Sequence, residues 1–251
     1  EVGDLPAPVL HTPELPSARV SLLIAKTGHG KTSVSRARAA LWKRRLFVDS
    51  KARHTGVPEY WGMVARTGKE LRALLDKHQE REAWTIDYTG PVAVPVDPAK
   101  PDGPKTSEAF FRVMARIPNY LLVVEEAENH MTASSCPEGL FAIAREGRTL
   151  GQCLTLCAHR PADLARKVTA IADEIVAWPG IEPADMHALK DRGLYMDLLR
   201  SLDGHNSLRL HAPEGGEQRF YVCRCDEPHA GHCGEPLPGP PLKFPGTLEP
   251  E

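Results

Sequence analysis

The chain reads as an α/β fold with a mostly parallel central sheet flanked by helices. Three observations predict it. Short apolar runs alternate with helix-like segments over about 200 residues, the pattern of strands and crossover helices. One apolar run, Val20 to Ile24, leads into the glycine-bearing loop Ala25-Lys26-Thr27-Gly28-His29-Gly30-Lys31-Thr32, and a helix-like segment follows at once. Another, Leu121-Leu122-Val123-Val124, ends directly in Glu125-Glu126. A run with no polar alternation is what a strand covered on both faces looks like.

The elements follow in chain order. Residues 1–17 carry four prolines and little periodicity, and read as an N-terminal arm. The first strand is expected near residues 19–24, and a helix from Lys31 to about Arg44, with Lys43-Arg44-Arg45 as its solvated basic end. Residues 46–48 make a second strand. Leu71, Leu74 and Leu75 recur at helical spacing in a helix over 68–78. Residues 83–88 form a strand. The stretch 90–105 holds five prolines and predicts a loop without regular structure. A helix follows over 106–117, then the strand 121–124, a helix over 138–146 and a strand over 153–157. Helices over 161–168 and 183–191, and strands over 174–178 and 219–222, complete the pattern. Residues 18–222 are expected to form one α/β domain, and residues 223–251 a Cys/His- and Pro-rich tail.

Composition narrows the partners. The chain has 251 residues, 41% hydrophobic and 25% charged, with a formal net charge of -2. Bulk charge therefore does not mark a strongly basic nucleic-acid binder, and any DNA contact must come from local patches or from a ring that concentrates them. No apolar run approaches the roughly 18 residues needed to cross a bilayer. The six cysteines form no evident disulfide framework, and an intracellular, reducing compartment is the expectation.

The loop from Ala25 to Thr32 fits the phosphate-binding pattern G-x-x-x-x-G-K-[ST], with Ala25 at the first glycine. Backbone N–H groups of the loop and of the following helix would face a triphosphate, so Lys26, Thr27, His29 and Ser33 join the candidate cradle. Gly28 and Gly30 let the chain turn without a Cβ in the way. Lys31 would reach the β- and γ-phosphates, and the Thr32 hydroxyl would hold Mg2+. Ala25 is acceptable if its position needs close packing rather than a positive φ. The second acidic motif supplies the rest. Glu125 is expected as a Mg2+ ligand, with an arm one methylene longer than the usual Asp. Glu126 is expected to polarise the attacking water. Glu128 is a further carboxylate nearby.

Two further motifs give a resemblance. Ala144-Arg145-Glu146-Gly147-Arg148 precedes a strand, and Ala158-His159-Arg160-Pro161 follows it. In this order the motifs resemble the HerA/FtsK superfamily of ring-forming, DNA-pumping ATPases, over residues 18–222. The resemblance implies a P-loop NTPase fold of RecA/FtsK type and ATP with Mg2+. It makes His159 the γ-phosphate sensor at a position where Gln is usual. It makes Arg145 or Arg148 the arginine finger donated to a neighbouring subunit, with Arg160 a weaker third candidate. The partners it implies are double-stranded DNA and copies of the same chain in a ring, with six subunits expected.

The lack of a membrane span or of a preceding β-barrel points within that group to genome-packaging ATPases of membrane-containing icosahedral viruses. Capsid or portal-vertex proteins would then be partners, and the host cytoplasm and the virion the locations. Three alternatives stand beside DNA packaging. They are an assembly ATPase of the filamentous-phage kind, a cellular HerA-like DNA-processing ATPase, and a small-molecule kinase, for which no arginine-rich lid is evident. A separate cluster, Cys223, Cys225, His229, His232 and Cys233, has enough thiols and imidazoles for zinc, with Cys223, Cys225, His229 and Cys233 as candidate ligands. Its spacing matches no standard finger, and free thiols are the alternative.

Overall fold

The computed structural model describes residues 19–49, 51, 62–78, 80–96, 99, 105–190, 194, 196–202, 206–211 and 219–223. The phosphate-loop half starts with β1 (Val20–Ile24), α1 (Lys31–Ala40) and β2 (Arg44–Val48). Then come β3 (Met63–Ala65), α2 (Gly68–His78), β4 (Trp84–Tyr88), β5 (Val94–Pro95), β6 (Lys105–Thr106) and α3 (Glu108–Met114). The second half holds β7 (Leu121–Val124), α4 (Glu138–Glu146), β8 (Cys153–Ala158), α5 (Arg166–Thr169) and β9 (Glu174–Ala177). It ends with α6 (Pro183–Lys190), α7 (Met196–Ser201), β10 (Ser207–His211) and β11 (Arg219–Cys223).

Among the described residues nine strands form one sheet in the order β11-β10-β9-β1-β8-β7-β2-β4-β3. From β9 to β3 every pairing is parallel, and β10 and β11 extend the β9 edge antiparallel. This is the mixed α/β, mostly parallel sheet that the motif order implies. The strand carrying His159, β8, lies between the phosphate-loop strand β1 and the acidic strand β7.

Period-two alternation divides the core between the two faces. Leu22 and Ile24 of β1, Leu122 and Val124 of β7, and Leu154 and Leu156 of β8 point into the larger core, which also takes Leu71, Leu75, Phe111, Met114, Leu140 and Ile143 from the helices. Leu23, Phe47, Val123, Cys157 and Val176 point to the other face, where Val34 and Ala39 of α1 cover them. Both faces are dry, which is why these strands read as unbroken apolar runs. On the larger side α3 and α4 approach so closely at Gly139 that a Cβ there would run into the backbone of Phe111 and Arg112. The buried Gln152 amide stops α3 by donating to the carbonyls of Ala115 (3.1 Å) and Met114 (3.3 Å).

Under α1 lies a buried ion pair. Arg38 donates to the Glu174 carboxylate of β9 and, through Nη2, to Ser21 Oγ of β1 at 2.7 Å. Both charged side chains are almost fully buried, 3% and 2% exposed. The pair ties the phosphate-loop helix to two strands of the sheet.

Several local expectations need correction. The first helix ends at Ala40 rather than Arg44, and Arg44 and Arg45 belong to β2. Arg45 donates to Ala39 O at 2.9 Å, so this basic run closes the turn between helix and strand and is no solvated helix end. In the stretch expected to lack regular structure, Val94–Pro95 pairs antiparallel with Lys105–Thr106, since Pro95 can sit in an edge strand. The helix expected over 161–168 is a 3-10 turn, Pro161–Asp163, followed by the short α5. Strands β3 and β10 were not expected. β3 has only three residues and β10 alternates polar with apolar ones, so neither gives a long unbroken apolar run.

Cys136, Cys153 and Cys157 are free. Burial pushes the Cys136 thiol up to about 11, Cys153 up to about 12, and Cys157 well above its ordinary value. They are neutral packing groups, not nucleophiles.

The buried pair gives a stability test. Arg38→Ala withdraws the guanidinium from a buried carboxylate and is expected to cost about 3–5 kcal/mol in denaturant unfolding. The double variant Arg38→Met, Glu174→Leu, which removes both charges, should recover most of that loss.

Candidate nucleotide site

Strand polarity builds the site. Parallel strands β1, β8 and β7 all end at one edge, with Ile24 in register with Ala158 and Val124 with Leu156. The residues that follow, Ala25, His159 and Glu125, therefore emerge side by side from three distant parts of the chain.

The loop after β1 has the conformation that its glycines allow. Gly28 and Gly30 have φ of 87° and 93°, a region that side-chain-bearing residues avoid. Ala25 is not among the positive-φ residues, is fully buried, and donates its N–H to Ala158 O at 3.2 Å. The missing glycine thus falls where close packing, not left-handed backbone, is needed. Gly30 precedes α1 in the left-handed region, with no side-chain cap and no acidic residue in the first turn. The helix keeps its N-terminal N–H groups and positive dipole end available to an anion.

Lys31, in that first turn, is 6% exposed. Its ammonium donates to the carbonyls of Ala25 and, at 3.1 Å, of Lys26. Thr32 Oγ1 donates to Glu125 Oε2 at 3.4 Å, and Ser35 Oγ donates to Glu125 Oε1 at 3.0 Å. Glu125 is 4% exposed. Ser33 stands in the same first turn, half-buried. His29 Nδ1 lies 3.3 Å from Thr27 O. Lys26 pairs with Glu182 at 2.7 Å, and its ammonium holds that carboxyl below the usual carboxylate range.

Glu126 adopts φ 52°, ψ 52°, a left-handed backbone that is unusual for a side-chain-bearing residue. Its carboxylate meets the Lys51 ammonium and accepts from Asn129 Nδ2 at 3.3 Å. His159 lies between the loop and Glu128: Nε2 is 3.2 Å from Thr27 Oγ1, and Nδ1 is 2.8 Å from Glu128 Oε1. Arg160 turns away to Asp185 at 3.3 Å.

Arg145 and Arg148 stand apart from this group. Arg145 lies in the last turn of α4 and Arg148 in the 3-10 turn Gly147–Leu150 before β8, so about 20 Å of strand, six residues at about 3.3 Å each, separates them from the edge that carries the loop. The Arg145 carbonyl accepts from Arg19 Nη1 at 3.3 Å, just before β1 begins. The Arg145 guanidinium is exposed, pairs with Glu146 and lies over the Phe141 ring at 5.2 Å. Arg148 is exposed. Of the zinc candidates, Cys225, His229 and Cys233 lie outside the described residues, as does the Cys223 side chain. Among the described residues no group of three or more His, Cys, Asp or Glu could hold a metal.

Sequence reasoning missed Ser35, Asn129 and Lys51. Ser35 had a signal, since three positions after Thr32 it shares a helix face with it. Lys51 had none, because its contact with Glu126 spans 75 residues. Glu128 was visible as an acid, but its bond to His159 was not.

The uncapped helix and the two positive-φ glycines make this edge a candidate site for nucleotide phosphates, and the Thr32 hydroxyl beside the Glu125 carboxylate is a donor set that suits Mg2+. No family model matches the chain, and no curated protein matches it in sequence. Solved structures do match in fold. The genome packaging NTPase B204 of Sulfolobus turreted icosahedral virus 2, in complex with ATP-gammaS, aligns at TM-score 0.61 and 14% identity, covering 83% of this chain and 98% of that one. Its complex with AMPPCP aligns at TM-score 0.59 and 14% identity, over 80% and 96%. B204, the DNA-packaging ATPase of Sulfolobus Turreted Icosahedral Virus, aligns at 0.55 and 16%, over 82% and 97%. The chain has the P-loop NTPase fold, and it shares that fold with viral genome packaging NTPases.

Behind the acidic turn, burial holds the His130 imidazole down to about 4, opposed by the charges of Glu128 and Glu126. His130 is neutral at pH 7, whereas the unfolded chain takes up its proton near 6.5. The unfolded state therefore binds more protons between these values, and stability falls as pH drops from about 6.5 to about 4. The loss should reach roughly 3 kcal/mol in full, and His130→Gln should flatten that part of the pH profile of unfolding.

Proposed function

We propose that this chain is an ATP-hydrolysing motor that moves double-stranded DNA, with packaging of DNA into a viral capsid as its task. One observation carries the reading. An uncapped, glycine-flanked helix start with Lys31 lies against a buried carboxylate, Glu125, on the fold of viral packaging NTPases. In this reading the loop 25–33 binds the phosphates of ATP through backbone N–H groups. Lys31 moves from the loop carbonyls to the β- and γ-phosphates. Thr32 and Glu125 would hold Mg2+, which would supply positive charge to neutralise the phosphates. Glu126 orients the attacking water and takes its proton.

The two arginines support a ring. Neither Arg145 nor Arg148 can reach the phosphate loop of its own chain across the sheet, but either could reach the loop of a neighbour. A guanidinium donated in this way stabilises the charge that develops on the transferred phosphoryl group. Residues 18–222 are read as the motor domain, with residues 1–17 as an arm and 223–251 as a tail. Six subunits, contacts to capsid or portal-vertex proteins, and a place in the host cytoplasm and the virion complete the proposal. Zinc in the tail is a separate proposal, tested by metal analysis of the purified chain; no zinc above background removes it.

A second reading is a nucleotide-dependent assembly ATPase that moves no DNA. The contact of Glu126 with Lys51 and Asn129 favours it, because a carboxylate so engaged is slow to act as a base.

Duplex DNA separates the two. A motor should turn over ATP several-fold faster with duplex DNA, measured by phosphate release, and an unchanged rate favours the assembly ATPase. Lys31→Ala should lower turnover at least about a hundredfold, as loss of one placed donor to a developing charge does. Retained turnover in that variant would remove the loop from the active site. Arg145→Ala and Arg148→Ala subunits test the ring. If either arginine acts in trans, mixing that inactive variant with Lys31→Ala subunits should restore part of the activity, because each supplies what its neighbour lacks. No recovery with either variant counts against donation across the interface.

A further inference from the structure

Glu128 is a carboxylate at this edge that the proposed chemistry leaves without a task. It sits in the 3-10 turn Ala127–Asn129 that follows β7. Its Oε1 accepts two hydrogen bonds from one residue: the His159 backbone N–H at 3.1 Å and the His159 ring Nδ1 at 2.8 Å. The other ring nitrogen, Nε2, is 3.2 Å from the Thr27 hydroxyl in the phosphate loop. Both side chains are largely buried, 26% exposed for His159 and 15% for Glu128. Three segments, the loop after β1, the turn after β7 and the end of β8, are thereby joined through one imidazole.

We propose that Glu128 is a positioning residue that turns His159 into a hydrogen-bond acceptor for the attacking water. The proposal rests on the reading of residues 25–33 as a triphosphate site. A carboxylate oxygen only accepts, so Nδ1 must carry the ring hydrogen. A neutral imidazole has one N–H, and Glu128 consumes it. Nε2 is then left with its lone pair directed at the loop, where it accepts from an O–H group. Without a nucleotide that group is the Thr27 hydroxyl. With a triphosphate in the loop it is the water that attacks the γ-phosphorus, which also faces Glu126. A side-chain amide at this position could donate to a phosphate oxygen. A neutral imidazole tied to Glu128 cannot, so His159 acts on the nucleophile rather than on the phosphate.

The paired bonds also explain how the ring is held. The backbone bond fixes Glu128 against the end of β8, and the Nδ1 bond fixes the rotation of the ring. Loss of Glu128 frees the ring to rotate and to exchange tautomers, so Nε2 is no longer reliably an acceptor. The effect belongs on the chemical step. Nucleotide affinity is set by the loop N–H groups and Lys31, which Glu128 does not touch.

The test has four arms. In the wild-type chain without nucleotide, 15N NMR of labelled histidines should show His159 as the neutral Nδ1–H tautomer; an Nε2–H tautomer or an imidazolium overturns the proposal. Glu128→Ala should lower kcat on the order of tenfold while KM for ATP stays within about threefold, whereas unchanged kcat overturns it. Glu128→Gln, whose amide oxygen still accepts from Nδ1–H, should restore most of kcat; equal loss in both variants overturns it. In a His159→Ala background Glu128→Ala should have no further effect on kcat, and a full additional loss shows that Glu128 does not act through His159. A wild-type chain that neither binds nor hydrolyses ATP defeats the triphosphate-site reading itself, while full-rate Glu128→Ala defeats only the inference.

Discussion

The placement of β8 between β1 and β7 sets the geometry of the whole site edge. Parallel pairing makes all three strands end at the same edge, and their register brings Ala25, His159 and Glu125 out beside one another. Were β7 paired directly with β1, the acidic pair would lie one strand, about 4.8 Å, nearer the loop, with no room for an imidazole between them. The inserted strand creates that gap, and His159 fills it. It also separates the polar groups into two tiers: Thr32 and Ser35 meet Glu125, and Thr27 meets His159, whose ring meets Glu128.

The two adjacent glutamates show how backbone geometry divides similar side chains. Glu125 continues the strand ladder, with its N–H on Val48 O at 3.0 Å, and its carboxylate turns inward to two hydroxyls of α1. Glu126 breaks the ladder in a left-handed conformation, and its carboxylate meets an ammonium and an amide. A positive φ in a side-chain-bearing residue costs of order 1 kcal/mol and persists where the surroundings over-determine it. Here the strand before it and the 3-10 turn after it do so. The same turn carries Glu128, so one irregular residue sets the direction of two carboxylates.

Much of the fold was legible because both faces of the sheet are covered. Two-sided burial produces unbroken apolar runs such as 20–24 and 121–124, and these stand out in any reading of the chain. The pairing of 94–95 with 105–106, the edge strand β3 and the next-to-edge strand β10 were not legible. Their stability comes from neighbours distant in sequence, and their own residues are mixed. The end of α1 was misjudged for a related reason: Arg44 and Arg45 suit a helix end by charge, but strand pairing with 84–85 and 121 claims them.

At the site, local sequence specifies which groups are present and in what order: a glycine loop with Lys31 and Thr32, an acidic pair after a buried strand, two arginines before the next strand and an imidazole after it. These patterns are local, because tight turns need glycine and helix starts need a free N–H. Tertiary structure alone decided which groups meet. Ser35 on Glu125, Lys51 on Glu126 and Glu128 on His159 join segments 90, 75 and 31 residues apart. It also decided which groups stay apart, with Arg145 and Arg148 at the far edge of the sheet. Strand order and register set these distances, and both follow from how the two core faces pack rather than from any stretch of chain read on its own.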